Sequence, residues 1–331
     1  MRPALHRKAL ILSLIAAIAL PLAAQSANEK DLKDIGHRGV GDGMNFYSLE
    51  KEIALGKALA AQVDATSRIE RDPVINEYIN RLTQNLVRHS DAKVPFTVRV
   101  VESPDVNAAA LPGGYFFVNT GLILAADNEA ELAGAMAHEI AHVAARHGTR
   151  QATKGQLINY ATIPLIFVGG GIGLAARSLG SLAVPMTFLK FTRSDEREAD
   201  YLGLQYMYES GYDPQAFVQM FEKLLSEEKH QPGAVAKAFE SHPPTPDRIS
   251  ATEKEIRNLL PPRPEYVVDT SEFEQVKARL AVLEHQDETQ VKLHGQGKPS
   301  LINPNGTPVN APPDTNPQGR PTLEHRPDET Q

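Results

Sequence analysis

The sequence predicts an α+β protein that is mainly helical and carries a small β-sheet beside a cleft. Two observations predict this class: apolar residues recur at helical spacing in several segments, and two short segments between them read as strands. With 331 residues, 41% of them hydrophobic, the chain can bury a sizeable core in one or two domains. It contains no cysteine, which excludes disulfide scaffolds, thiolate metal sites and cysteine nucleophiles. The net charge of −7 argues against nucleic-acid binding.

The first 26 residues have the layout of a secretory signal peptide. Three Lys or Arg residues precede an uncharged apolar run at 9–24, and small residues follow at Ser26 and Ala27. An uncleaved N-terminal anchor is the alternative, but the run is shorter than the about 20 residues that span a bilayer. We therefore expect an exported protein that works in the periplasm.

Two helices and two strands are predicted before residue 120. Residues 48–88 place apolar side chains at helical spacing and predict two amphipathic helices. Apolar and polar residues alternate at 96–100, which predicts a strand. The turn residues of 111–114 separate it from a second extended run, Tyr115–Val118.

The next element is a helix over Glu129–Arg146. Asp127 and Asn128 are cap-type residues at its start, and one buried stripe is expected along it. The residues of this stripe are Leu132, Met136, Ile140 and Val143.

This helix contains the pattern H-E-x-x-H at 138–142. His138 and His142 lie one turn apart on one face, so both imidazoles can reach one metal ion. Glu139 projects beside them, toward the water molecule that would attack a substrate. The alternative is that both histidines are ordinary surface or core side chains.

A catalytic zinc site normally uses three protein ligands, so another donor is needed. Glu196 and Asp200 are four residues apart on a predicted helix and share a face, whereas Glu198 lies about 200° round from Glu196. We expect Glu196 to be the third ligand and Asp200 to orient an imidazole or assist proton transfer. A solvated charge cluster is the alternative.

The chain resembles the HtpX/BepA-like zinc metallopeptidases, the group that includes the CAAX prenyl endopeptidases. The resemblance covers about residues 50–249 and follows four motifs in order. These are L-P-G-G-Y-F-F-V-N-T-G-L at 111–122, H-E-I-A-H at 138–142, E-R-E-A-D at 196–200 and S-H-P-P-T-P-D-R at 241–248. The resemblance implies a mainly helical gluzincin-type metallopeptidase domain with a small sheet beside the zinc cleft.

The resemblance also implies roles for single residues. Glu196 would complete the set of zinc ligands, Glu139 would be the general base, and Asp200 would be an active-site residue. His242 would stabilise the oxyanion or occupy the open zinc position in a resting form; a structural histidine in a Pro-rich turn is the alternative. His147, half a turn off the ligand face, is left out of the predicted site.

Two further segments are predicted to meet other molecules. An exposed sheet edge, formed by Ala108–Ala110 or by Tyr115–Val118, would pair with an extended substrate. Residues 155–176 carry no charge, and we expect 155–190 to form an apolar hairpin that touches a membrane surface, a partner or an unfolded client. Buried core is the alternative for this hairpin.

The predicted organisation has four parts. They are a signal peptide at 1–26, a zinc metallopeptidase domain at 27–260, a C-terminal helical extension at 261–286 and a disordered Pro-rich tail at 287–331.

We expect an exported zinc metalloendopeptidase, with one Zn²⁺ per chain, that acts in quality control of envelope proteins. Its expected substrates are unfolded or misassembled envelope and outer-membrane polypeptides. Expected contacts are the membrane surface and the machinery of outer-membrane assembly. Two alternatives stay open: a chaperone-like periplasmic binding protein with minor or latent proteolysis, and a membrane-embedded prenyl-type endopeptidase.

Overall fold

The computed structural model describes residues 32–158, 191–230, 242 and 244–295. Within these ranges it confirms the predicted α+β class, with nine α-helices and three strands. In chain order they are α1 (Leu49–Thr66), α2 (Pro73–Arg88), β1 (Thr97–Val101), β2 (Ala108–Leu111), β3 (Tyr115–Asn119), α3 (Thr120–Ala125), α4 (Glu129–Ala144), α5 (His147–Ile158), α6 (Arg193–Glu209), α7 (Gln215–His230), α8 (Pro246–Leu259) and α9 (Ser271–Gly295).

Helix α4 is the centre of the fold, and each of its residues is buried. The side chain of Asn128 caps it by accepting a hydrogen bond from the backbone N–H of Glu131. Its faces pack against α6, α7, α2 and strand β2. The helix ends at Ala144, two residues before the predicted end, because Arg146 turns the chain with a positive φ of 56°.

The three strands form a mixed sheet in the order β1-β3-β2. β1 runs parallel to β3 and pairs Val98 with Phe116, while β2 runs antiparallel and pairs Ala110 with Phe116. Of the two sheet edges proposed for substrate, Tyr115–Val118 is therefore wrong, because β3 is paired on both sides. Ala108–Ala110 lies in the outer strand β2.

Helix α1 packs against the sheet through the turn that joins β2 to β3. Gly113 has a φ of +76°, and a Cβ at this position would lie 2.5 Å from the Cα of Ile53. Glycine at 113 thus serves both the turn and the close approach of α1. The core between α1 and the sheet consists of Leu59, Ala60, Val101, Leu111 and Phe117.

Helix α6 approaches α4 closely because Gly203 faces it. A Cβ at Gly203 would lie 2.9 Å from the backbone N of His138 and 3.0 Å from the carbonyl carbon of Ala137. Since real Cβ atoms essentially never come that near, any larger residue would push the two helices apart. The absence of a side chain at Gly203 therefore sets the spacing between the two helices that carry the predicted site.

The N-terminal segment before α1 is held by a buried cation. Arg38 is 1% exposed and donates hydrogen bonds to the carboxylate of Asp91 and to Oε1 of Gln205. The hydroxyl of Tyr206 donates to the same carboxylate at 2.8 Å. These contacts tie residues before α1 to helix α6.

The segment after α8 contributes to the same core as the peptidase helices. Val267 pairs with Tyr212 in an isolated bridge, and Phe273, Val276 and Leu280 are buried. The compact unit that contains α1 to α8 extends to Ala281. The predicted extension at 261–286 thus supplies core residues up to that point.

Several predictions fall outside the described residues. They are the signal peptide at 1–26, the part of the apolar hairpin at 159–190 and the tail from residue 296. Helix α9 runs to Gly295, so the tail predicted from 287 begins with helix, consistent with the lack of Gly and Pro in residues 271–294. Among the helices of the described ranges, none is long and apolar enough to cross a membrane.

Candidate metal centre

Four metal-binding side chains converge between α4, α6 and the start of α8. His138 and His142 come from α4, Glu196 from the first turn of α6, and His242 from the loop before α8. Each is between 2 and 5% exposed. The spacing predicted from the H-E-x-x-H pattern is thus realised, and residues distant in sequence complete it.

The donor atoms lie within 4.8 Å of one another, and the distances from His138 Nε2 are close to those in a tetrahedral zinc site. His138 Nε2 lies 3.1 Å from His142 Nε2, 3.4 Å from His242 Nδ1 and 3.5 Å from a carboxylate oxygen of Glu196. Four ligands at the usual zinc–ligand distances lie about 3.3 Å from one another. The nitrogen and oxygen donors present are also the types that zinc takes.

Glu139 lies beside this cluster without joining it. Its Oε2 accepts a hydrogen bond from the backbone N–H of Ala110 in β2 at 3.2 Å. Its Oε1 lies 3.6 Å from Nε2 of His242. The carboxylate is therefore fixed between the donor cluster and the outer strand of the sheet.

Asp200 lies behind His138, the first histidine of the H-E-x-x-H pattern. Its Oδ1 is 3.0 Å from Nδ1 of His138, the nitrogen that faces away from the cluster. Arg248, the last residue of the S-H-P-x-x-x-x-R stretch, donates to both oxygens of Asp200 at 2.6 and 2.7 Å. It also donates to the carbonyl of His242 at 3.1 Å and so links the histidine loop to α6.

The electrostatics of the cluster favour a bound cation. Burial lowers the pKa of His138, but the carboxylates of Asp200 and Glu196 outweigh that effect and raise it to about 9. Burial raises the pKa of Glu196, but contacts with His138 and His242 hold it well below its ordinary range. The carboxylates of Glu139, Glu196 and Asp200 thus face the guanidinium of Arg248. Those of Glu196 and Asp200 draw a proton onto His138, and a metal cation could take the place of that proton.

His142 has the properties of a neutral ligand. Burial, together with neighbouring His242 and His138, lowers its pKa well below the ordinary value. The ring of Phe191 stacks on its imidazole at a centroid distance of 4.1 Å. On the other side of the cluster, Phe217 and Phe221 of α7 lie against the ring of His138.

The structure brings all six predicted site residues together, and it adds residues that sequence reasoning missed. Helix α7 was not predicted, although Phe217, Phe221 and Leu224 have helical spacing.

The exclusion of His147 from the predicted site assumed that α4 continues past Arg146. Because the chain turns at Arg146, His147 folds back and its Nδ1 lies 2.9 Å from Nδ1 of His142.

The fold and the donor set define the class of protein. A buried helix that supplies H-E-x-x-H, with a glutamate from a second helix as an additional donor, is the arrangement of a gluzincin-type metallopeptidase site.

Comparison with known proteins gives the family. The model of peptidase family M48 matches residues 71–256, more than half of the chain, and the chain belongs to this family. The resemblance drawn from the four motifs is thereby confirmed.

Curated relatives of the chain are named as proteases or metalloendopeptidases. The beta-barrel assembly-enhancing protease of Escherichia coli K12 is 32% identical over 289 residues, which are 82% of this chain and 56% of the relative. The protein of that name from Yersinia pestis is 33% identical over 230 residues, 65% of this chain and 46% of the relative. A mitochondrial metalloendopeptidase of Schizosaccharomyces pombe is 30% identical over 178 residues, 54% of this chain and 52% of the relative. The chain spans about half the length of these relatives.

Proposed function

We propose that the chain is a zinc-dependent metalloendopeptidase that hydrolyses peptide bonds. The observation that carries this proposal is the buried set of His138, His142 and Glu196, whose donor atoms lie 3.1 to 3.5 Å apart, with Glu139 beside it. In this proposal the two histidines and Glu196 hold the zinc ion. When bound, zinc supplies Lewis acidity that polarises a peptide carbonyl and makes a nearby water molecule more acidic.

Glu139 handles the proton in this reaction. It accepts a proton from the attacking water and delivers it to the leaving amine, so one carboxylate acts first as base and then as acid. The N–H of Ala110 holds one of its oxygens at 3.2 Å and leaves the other to face the donor cluster. Asp200, clamped by Arg248, keeps the imidazole of His138 oriented.

His242 stands at the fourth donor position. Its Nδ1 lies 2.8 Å from Oε1 of Glu196, and its Nε2 faces the carboxylate of Glu139. Of the two predicted roles, this placement favours occupation of the open zinc position in a resting form over stabilisation of the oxyanion. A catalytic zinc keeps one position open, so His242 has to leave before substrate binds.

The outer strand β2 is the proposed substrate edge. The N–H of Ala110 points away from β3 toward Glu139, and main-chain groups alternate in direction along an antiparallel strand. The N–H and C=O of Ala108, which is 4% exposed, therefore face the same side as the N–H of Ala110, away from β3. An extended polypeptide could pair there through main-chain bonds, which bind without demanding a particular sequence.

Ala108→Pro tests this edge. It removes an N–H that faces away from β3, so the sheet ladder is kept and proline is tolerated at an outer strand. We expect KM for an unstructured polypeptide to rise severalfold while zinc content stays unchanged. Steady-state cleavage of a fluorogenic polypeptide gives KM. An unchanged KM, with zinc bound and the protein folded, would remove β2 from the substrate site.

Metal removal tests the activity itself. The purified chain should cleave an unfolded outer-membrane polypeptide, lose cleavage on dialysis against a chelator, and regain it with one equivalent of zinc. Native mass spectrometry gives the metal content of each sample. A chain that binds no zinc, or that cleaves equally well without metal, contradicts the proposal.

The physiological role proposed is quality control of envelope proteins in the periplasm. Two relatives are named beta-barrel assembly-enhancing proteases, which supports misassembled outer-membrane polypeptides as substrates. The basic and apolar layout of residues 1–26 supports export. The second candidate is a chaperone-like binding protein with latent proteolysis. The buried His242 beside the other three donors supports latency.

A further inference from the structure

His142, the second histidine of the H-E-x-x-H pattern, contacts another histidine on the side away from the donor cluster. Nε2 of His142 faces the donor cluster, and its other nitrogen, Nδ1, lies 2.9 Å from Nδ1 of His147. His147 is 1% exposed. A buried imidazole therefore stands where a ligating histidine needs an acceptor for its second nitrogen.

The turn after α4 creates this contact. Arg146 adopts a left-handed backbone conformation, and its side chain is held by Glu52 at 2.7 Å and by the carbonyl of Tyr47 at 2.6 Å. An uncommon conformation of this kind persists where the surroundings enforce it. The chain thereby returns toward the cluster, and His147 at the start of α5 meets His142.

The hydrogen bond fixes where the protons lie. If Nε2 of His142 binds the metal as a neutral imidazole, its proton is on Nδ1 and points to His147. Nδ1 of His147 is then the acceptor, so its proton is on Nε2. That Nε2 lies 3.2 Å from a carboxylate oxygen of Glu198.

Glu198 is the carboxylate available to His147. Asp195 also lies near, but its Oδ1 is 4.0 Å from Nε2 of His147, beyond hydrogen-bonding distance, and its Oδ2 accepts from the backbone N–H and the hydroxyl of Thr192. The carboxylate of Glu198 lies within ion-pair distance of Nε2 of His147, but the two groups are not aligned for a hydrogen bond.

We propose that His147, paired with Glu198, is the positioning residue for the ligand His142. This inference rests on the proposed zinc peptidase function. Each of the two histidines of α4 then has a carboxylate on the side away from the donor cluster. Asp200 contacts His138 directly, whereas Glu198 contacts His147, which in turn contacts His142. The pair sets the tautomer and the ring orientation of His142, and Phe191 restrains the face of the ring.

Zinc affinity tests the proposal without reference to catalysis. His147→Phe removes the acceptor and Glu198→Ala removes the carboxylate, and each should weaken zinc binding about 10- to 100-fold. His147→Asn keeps an acceptor near the position of Nδ1 and should restore most of the affinity. Competition with a chromophoric chelator gives the zinc dissociation constant of each full-length variant.

Two further measurements separate positioning from a structural role. The visible spectrum of the Co²⁺-loaded protein should change in His147→Phe and return toward wild type in His147→Asn. Thermal unfolding of the metal-free protein should stay within a few degrees of wild type in Glu198→Ala, whose side chain is 27% exposed. The double variant should bind zinc no more weakly than His147→Phe alone, because both residues act through one contact.

Arg150→Ala is the matched control, since Nη1 of Arg150 lies 3.4 Å from Glu198 without touching His147. It should leave the zinc dissociation constant within about twofold of wild type. Wild-type zinc affinity in both His147→Phe and Glu198→Ala would overturn the inference, as would an Arg150→Ala effect equal to that of Glu198→Ala. A wild-type chain that takes up no zinc would instead overturn the proposed function.

Discussion

Glu139→Gln is expected to abolish peptide hydrolysis and to leave zinc bound. Glu139 lies outside the donor cluster, so the amide removes the proton acceptor without removing a ligand. A positioned general base contributes about a hundred- to ten-thousand-fold to rate, and a loss of that size in kcat is expected. Single-turnover cleavage of an unfolded polypeptide measures the loss, and native mass spectrometry measures the metal.

The matched control is Glu131→Gln, also on α4 and buried but near the first turn, where its carboxylate accepts from the backbone N–H of Asp127. It should cleave at a rate close to wild type. Cleavage by Glu139→Gln at the wild-type rate would remove Glu139 from the reaction. Loss of zinc in Glu139→Gln would instead mean that the carboxylate is needed to hold the metal.

The same variant separates the two proposed roles in cells. If the chain clears misassembled outer-membrane polypeptides by proteolysis, Glu139→Gln should let them accumulate as fully as deletion does. If it acts as a chaperone-like binding protein, Glu139→Gln should still support their assembly. Pulse-chase labelling of an outer-membrane protein in deletion cells that carry either form distinguishes these outcomes.

Glu196→Ala is expected to lose zinc altogether under conditions in which wild type keeps it. Glu196 is the carboxylate of the donor cluster, and its oxygens lie 3.5 Å from the Nε2 atoms of His138 and His142. Its removal leaves only histidine donors. The loss of zinc affinity should exceed the loss of about 10- to 100-fold that is typical when a residue hydrogen-bonded to a ligand is replaced. Chelator competition and native mass spectrometry measure it.

Two comparisons make that result specific. His242→Ala should keep zinc, because three protein ligands suffice for a catalytic site. Glu253→Ala, on the exposed side of α8, should bind zinc like wild type. Zinc retained in Glu196→Ala but lost in His242→Ala would exchange the roles proposed for these two residues.

The sequence predicted the chemistry of the site because local periodicity decides it. His138, Glu139 and His142 lie on one predicted helix, so their relative directions follow from 3.6 residues per turn. Glu196 and Asp200 share a face of α6 for the same reason, and the structure places both against α4. The helical-wheel statement that Glu198 points elsewhere also holds, since Glu198 contacts His147 and Arg150 instead.

Sequence reasoning failed where the chain leaves regular structure. His147 lies outside the donor cluster, but its contact with His142 was not predicted, because the left-handed turn at Arg146 ends a helix that was expected to continue. The choice between two sheet edges required the strand order, which depends on pairing between segments rather than on alternation within them. Arg248 was part of a motif, but its bidentate contact with Asp200 follows only from the packing of α8 on α6.

The sequence by itself thus determined the α+β class, the two helices that carry the site, and the residue types that can hold a metal. Those features depend on periodicity and on the chemistry of single side chains. Tertiary structure alone decided the distances among donors from separate segments, the approach of α4 and α6 at Gly203, and the position of His242 beside the other three donors. These depend on how separate elements pack, and packing is settled by contacts between residues far apart in the chain.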